Sequence, residues 1–240
     1  MAGLVAERSP RGTCLRLEWR TAAFFHWAFA PELVRRLLPL GLDVDAFDGR
    51  AWISLTPFTT TFRLGGVVPL PGRSRYGETN LRTYVRAPDG TDGVWFFSLD
   101  VTNVANVALG RMAFPYHYAN LHVHDDGTSL RYWGRRCRSD ARYDLTLRAE
   151  PFLCAQDPLD VFLTGRWHTY AVCADVVGRF DIQHDPWRLH RGTLVAGDEH
   201  MIEHLGLPRP DDDPIVHYSP GVDVRIGWPA PIRTAMRSHG

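Results

Sequence analysis

Glu78-Thr79-Asn80-Leu81-Arg82-Thr83-Tyr84-Val85-Arg86, followed by Gly93-Val94-Trp95-Phe96-Phe97-Ser98-Leu99-Asp100-Val101, is the stretch on which the fold turns. Two runs rich in β-branched and aromatic residues, set on either side of Pro88-Asp89-Gly90, predict a hairpin. Side chains alternate along a strand, so Glu78, Asn80, Arg82, Tyr84 and Arg86 share one face. A row of acid, amide, guanidinium and phenol faces either water or a polar cavity. The second strand is apolar on both faces at Val94, Trp95, Phe96, Phe97 and Leu99, which weighs toward burial of its neighbour as well. Asp100, near its end, offers a partner to an arginine on the lining.

Outward from this hairpin, short β patterns dominate. Strands are predicted at Cys14–Arg20, Arg50–Phe62, Tyr118–His124, Ser129–Arg138, Tyr143–Arg148, Arg166–Asp175, Arg179–His184, Ile215–Ser219 and Val222–Trp228. Asp126-Gly127 makes a hairpin turn between the fourth and third of these. Helical patterns are confined to Pro31–Leu38, Asn103–Met112, Pro158–Thr164 and Asp198–Leu205, and Val67–Gly72 reads as a turn-rich loop. The expectation is a mainly β (α+β) fold, a barrel or sandwich with a few short helices on its flanks. No long polar linker divides the chain. One domain over 1–240 is expected, with 1–12 and 230–240 as flexible tails.

With 45% hydrophobic and 12% aromatic residues over 240 positions, the chain can bury a large core. Its 27 basic residues are all arginine, so the only primary amine is the N-terminus. Basic and acidic residues balance at 27 each, leaving no excess to neutralise phosphates and arguing against a nucleic-acid partner. No apolar run approaches the ~18 residues of a membrane span, and Met1–Pro10 lacks a signal-peptide core. Cys14, Cys137, Cys154 and Cys173 are dispersed and read as reduced, core thiols of a cytoplasmic protein.

Several motifs point to less than they spell. His200-Met201-Ile202-Glu203-His204 fits the HxxEH zinc pattern, but Gly206 and Pro208 cut short the helix it needs. His122 and His124 share a strand face and read as a surface pair. There is no GxSxG elbow, and no glycine-rich phosphate loop: Gly65-Gly66-Val67-Val68-Pro69 is too short. Neither a metal nor an organic cofactor is expected.

Gly110-Arg111-Met112-Ala113-Phe114-Pro115-Tyr116-His117 resembles the Gly-Arg…Phe-Pro-Lys stretch of acetoacetate decarboxylases, whose lysine forms a Schiff base. The whole chain is more similar to the YqjF-like uncharacterised family of the acetoacetate decarboxylase-like superfamily. That likeness is carried by His26-Trp27, Leu38-Pro39-Leu40-Gly41-Leu42, Asp48-Gly49-Arg50-Ala51-Trp52 and Pro57-Phe58. It continues through Glu78–Val85, Gly93–Asp100, Arg111 with Pro115-Tyr116, Phe162-Leu163-Thr164 with Arg166, and His184-Asp185-Pro186-Trp187. The resemblance implies a closed, cone-like β-barrel around a buried polar pocket. Where the decarboxylases place their lysine this chain has Tyr116, followed by His117. Without an amine no imine forms, and decarboxylation by that route is excluded.

Glu78 resembles the decarboxylases' pocket glutamate, so the acid–base part of such a site is expected to persist. Arg82 and Arg111 present forks of donors for a carboxylate or an enolate, and Tyr84 or Tyr116 can donate a proton. Trp52, Phe58, Asn80, Trp95, Asp100, His117, Arg166 and Tyr170 are the expected substrate-binding residues. The bland alternative for Glu78 and Arg111 is a structural hydrogen bond or ion pair. Two functions stay open. One is a cofactor-independent lyase, dehydratase, cyclase or isomerase acting on a small organic molecule. The other is a barrel that binds such a molecule without turnover. A homo-oligomer is compatible with either.

Overall fold

The computed structural model describes residues 3, 12–64, 68–69, 75–111, 113–173 and 176–232. Within them the protein is one 14-stranded sheet. Its strands are β1 (Leu15–Phe29), β2 (Asp43–Val44), β3 (Ala51–Leu64), β4 (Val68–Pro69), β5 (Arg75–Arg86), β6 (Asp92–Val101) and β7 (Tyr116–Asp125). They continue with β8 (Leu130–Arg136), β9 (Arg142–Phe152), β10 (His168–Cys173), β11 (Val176–His184), β12 (His190–Glu199), β13 (Ile215–Ile226) and β14 (Ala230–Pro231). The helices are short: α1 (Pro31–Arg35), α2 (Val104–Gly110) and α3 (Pro158–Thr164).

The expected hairpin is there, as antiparallel β5 and β6. The expected mainly β fold with a few short helices is there too, though its sheet is not strictly a barrel. The sheet path runs β14-β11-β10-β6-β7-β8-β9-β12-β13-β1-β3-β5-β2, with β6 also pairing β5 and β11 also pairing β13. Those two extra pairings fold the sheet into two rings that share β13, β1, β3, β5 and β6. One ring is completed by β7, β8, β9 and β12, the other by β10 and β11. Each shared strand therefore has two interior faces, and the two interiors differ in chemistry.

The first ring holds the main apolar core: Phe25, Trp27, Ile53, Leu55, Leu81, Tyr132, Tyr143, Leu145, Leu147 and Val216 all pack together. Burying each large side chain stabilises the fold by about 1.5–3 kcal/mol, which makes this ring the scaffold. The second ring takes the opposite faces of β1, β3 and β5. Strand alternation would put Trp19 and Phe24 on opposite sides, yet they pack in one cluster with Phe58 and Trp187. Thr21, with φ 53, and a register shift between Arg20 and Phe25 reverse the alternation and bring them together. Helix α3 closes one end. A reciprocal capping box between Asp157 and Asp160 starts it, and Leu163 and Phe162 pack against Trp52 and Tyr84.

Other departures from expectation have local causes. The first strand runs on through Phe29 because Thr21–Phe29 is apolar on both faces and offers no period to read. Strand β12 was not anticipated: Gly192 and Gly197 interrupt its pattern. A side chain at Gly197 (φ 149) would meet the Asp144 carbonyl at 2.3 Å, so glycine there permits close pairing with β9. Asp198–Leu205 is not a helix; it is the end of β12 and a single 3-10 turn at Glu203–Leu205. Within it His200 lies 2.6 Å from Asp198 and 2.9 Å from Glu203. His122 and His124 are exposed and line a surface pocket of about 400 Å³ with Arg131 and Trp133. Cys154 is exposed and Cys14 and Cys137 half-buried, where core thiols were expected.

Among the described residues no helix is long and apolar enough to cross a membrane. Most of the Val67–Gly72 loop and of the expected tails lies outside the described residues, though Ala230 and Pro231 pair with β11.

Candidate active site

Strand β5 supplies the centre of the second ring. Its neighbour β3 sets Phe58 opposite Glu78, Thr56 opposite Asn80 and Ser54 opposite Arg82. Alternation then lines one inner face with Ser54, Thr56, Phe58 and Thr60 from β3, and Glu78, Asn80, Arg82 and Tyr84 from β5. The intervening residues Ile53, Leu55 and Leu81 belong to the apolar core on the other side.

Glu78 is 6% exposed and accepts a hydrogen bond from Thr60 Oγ1 at 2.9 Å. Among the described residues no cation lies within ion-pair distance of it. Burial raises its carboxyl from 4.5 to about 7, against a smaller lowering by the Thr60 bond. Tyr76 and Tyr116 flank it: burial and then the Glu78 charge push both phenols up. Tyr116 reaches this position because residue 110 is glycine; a Cβ there would sit 2.2 Å from the Tyr116 ring.

Arg82 is the second unusual charge. Among the described residues no carboxylate pairs with it, and its Nε is buried without a hydrogen-bond partner. Burial lowers its guanidinium, partly offset by Tyr84. Its Cζ lies 5.7 Å from the Phe24 ring centre and 6.0 Å from that of Tyr84. Beneath it the Tyr84 hydroxyl donates to the Leu163 carbonyl of α3 at 2.7 Å and sits 2.7 Å from Ser54 Oγ. Ser54 Oγ is in turn 2.6 Å from His26 Nδ1. Burial, then His217 and Arg82, hold His26 well below the usual imidazole value. His217 completes the floor, 2.9 Å from Asp160 of α3. On the far wall His184 packs between Trp167 and Trp187, and burial lowers it to about 4.

The inner face thus carries Glu78, Asn80, Arg82, Tyr84 and Tyr116 together, with Trp52 below Tyr84 and Phe58 beside Phe24. Other expected site residues lie elsewhere. Arg111 is exposed, its Nε donating to the Tyr116 carbonyl at 2.9 Å. Asp100 pairs opposite Thr79, on the other face of the sheet, and is held by both Nε and Nη2 of Arg136 at 2.7 and 2.9 Å. His117 is lined up with Asp100 in β7 and faces the same pair. Trp95 and Tyr170 belong to an outer cluster with Leu38, Leu42 and Val85. Arg166 is at the closed end but engaged, bound to Asp45 at 2.6 Å and Asp92 at 2.8 Å.

Sequence reading did not single out Thr60, Ser54, Tyr76 or His217. A signal for the first two was present: Ser54, Thr56 and Thr60 alternate with Ile53 and Leu55, the mark of a strand with one polar face.

Comparison with known proteins agrees with this architecture. A family model described as an uncharacterized conserved protein, DUF2071, matches residues 16–223. The chain belongs to the DUF2071 family. Uncharacterized protein YqjF of Bacillus subtilis (strain 168) is 33% identical to this DUF2071 chain over 221 residues, 90% of each sequence. Among solved structures, the enduracididine biosynthesis enzyme MppR, complexed with the condensation product of pyruvate and imidazole 4-carboxaldehyde, superposes with a TM-score of 0.69. It is 13% identical, and the match covers 94% of this chain and 92% of that one. An acetoacetate decarboxylase-like enzyme from Sphingomonas wittichii RW1 gives a TM-score of 0.66 at 15% identity, over 95% and 96%. Acetoacetate decarboxylase from Legionella pneumophila gives 0.62 at 16%, over 95% and 92%. At such identities the likeness establishes an acetoacetate decarboxylase-like fold.

Proposed function

We propose that this DUF2071 protein is a small-molecule enzyme of the lyase, dehydratase, cyclase or isomerase class, in which Glu78 moves a proton and Arg82 holds the substrate's carboxylate. One observation carries the reading: a buried carboxyl and a half-buried guanidinium with an enclosed, unbonded Nε on one strand face, neither paired with the other nor with any other ionised side chain among the described residues. At ~3.3 Å per residue their α-carbons are about 13 Å apart, a span that a small acid with a carboxylate at one end and a reacting carbon at the other can bridge. A carboxyl at about 7 is poised to take and return a proton at neutral pH. A guanidinium with no carboxylate of its own is suited to an anionic ligand, and stabilises negative charge developing on it. Tyr116, beside Glu78, is suited to return a proton, and Phe24 and Phe58 supply an apolar wall. No lysine amine is needed for this chemistry, and none is present.

MppR has been seen with pyruvate, which makes 2-oxo acids the first ligands to try. The test is exchange of the pyruvate methyl protons in D2O, followed by proton NMR. Wild-type protein should speed exchange, with a rate that rises with pH through about 7 as Glu78 loses its proton. Glu78→Gln should slow it by about a hundredfold or more with affinity little changed, and Arg82→Met should abolish binding. Tight binding of an organic acid with no exchange and no product by mass spectrometry would instead support a binding barrel. The unpartnered Arg82 Nε and Asn80 Oδ1 fit that second reading equally well.

A further inference from the structure

The inner face of β3 carries three hydroxyls near the reacting region, and two are spoken for: Ser54 bonds to Tyr84 and His26, and Thr60 bonds to Glu78. The third, Thr56, is 3% exposed and its Oγ1 has no partner. Directly opposite it on β5 is Asn80, 5% exposed, whose Oδ1 is also without a partner. Buried polar atoms are nearly always satisfied, so two facing orphans mark a place where something else binds. The two side chains do not bond to each other, so each still calls for a partner from a third group. That group has to donate to a carbonyl oxygen, and can either accept from or donate to a hydroxyl. A hydroxyl does both. A ketone oxygen only accepts, and a protonated amine beside the unpaired Arg82 charge is repelled. The pair lies one cross-strand step from Ser54 and Arg82 on one side and one from Phe58 and Glu78 on the other.

We propose that Thr56 and Asn80 form a hydroxyl-recognising subsite between the anion-binding and proton-transfer groups. The ligand is therefore a carboxylic acid bearing a hydroxyl on its second or third carbon. This rests on Arg82 as the carboxylate site, and adds the residues that choose among acids. A site built to bond a hydroxyl discriminates strongly against the analogue lacking it, because its own polar atoms are then left bare.

The experiment is calorimetric titration of the full chain with matched pairs: lactate against propionate, and 3-hydroxybutyrate against butyrate. Wild-type protein should favour the hydroxy member of at least one pair by about tenfold or more. Thr56→Val, nearly isosteric, and Asn80→Leu should each cut that preference to below about threefold. Asn80→Ser serves if the leucine variant fails to fold by circular dichroism. If both members of each pair bind equally to wild type while Arg82→Met loses both, the subsite is wrong and the Arg82 reading stands. If no acid binds, the Arg82 reading fails and the subsite with it. A preference that survives in Thr56→Val and in the Asn80 variant also overturns it, and assigns the orphans to an ordered water.

Discussion

Replacing Glu78 with glutamine should make the protein more stable, and only at high pH. Glutamine keeps an oxygen for the Thr60 hydroxyl and the same shape, but carries no charge to desolvate. The carboxyl titrates at about 7 in the folded chain against 4.5 when unperturbed. A raised carboxyl binds its proton more tightly in the folded state, so stability is full below 4.5 and declines as pH rises through 7. At ~1.4 kcal/mol per pH unit, the gap corresponds to about 3 kcal/mol. Glu78→Gln should therefore match wild type near pH 4.5 and exceed it by about 3 kcal/mol at pH 8.5. For a chain of this size that is a rise in Tm of roughly 6–12 °C. Urea unfolding at half-unit steps of pH measures the difference directly. Equal stabilities at every pH, or a weaker variant at pH 8.5, would refute the reasoning, since either means that Glu78 is not held at a desolvation cost. The expected gain, with exchange activity lost, is the trade of stability for function typical of a reacting group.

Asp100→Ala should destabilise the fold by about 3–5 kcal/mol in denaturant titration, because it strands the buried Arg136 on the core side of the sheet. Arg166→Met removes the buried charge-assisted contacts to Asp45, which keeps Arg86, and to Asp92, and should cost about 1.5–3 kcal/mol in the same titration, with ligand affinity of the remaining folded protein unchanged. His184 is held at about 4 by burial, so stability it supports above 6.5 is lost as pH falls toward 4; His184→Phe should flatten that acid limb by about 3 kcal/mol. Arg111→Ala removes one exposed hydrogen bond to the Tyr116 carbonyl and should cost no more than about 1 kcal/mol in urea unfolding, with carboxylate binding retained.

The hairpin and the polar face of β5 were readable because alternation along a strand is local: Glu78, Asn80, Arg82 and Tyr84 share a side wherever the strand goes. Arg111 and Asp100 show where local reading stops. Both follow that strand in sequence and both are chemically apt, yet one caps a backbone carbonyl at the surface and the other pairs with Arg136. The same holds for Trp95 and Tyr170, aromatics whose strands pair with each other but turn those rings toward an outer cluster. Strand β12 and the far half of β1 escaped notice for opposite reasons, one broken by glycines and the other apolar on both sides.

Residue identity alone decided that no lysine Schiff base is open to this chain and that one strand carries an acid, an amide and an arginine in line. Which interior that line faces was decided by pairings between residues far apart: β5 with β6, and β11 with β13, which split the sheet into an apolar ring and a polar one. The sheet's closure also determined that Glu78 lies where water is scarce and, among the described residues, out of ion-pair reach of any cation, and it is desolvation, a property of surroundings and not of sequence, that turns an ordinary carboxylate into one that titrates at about 7.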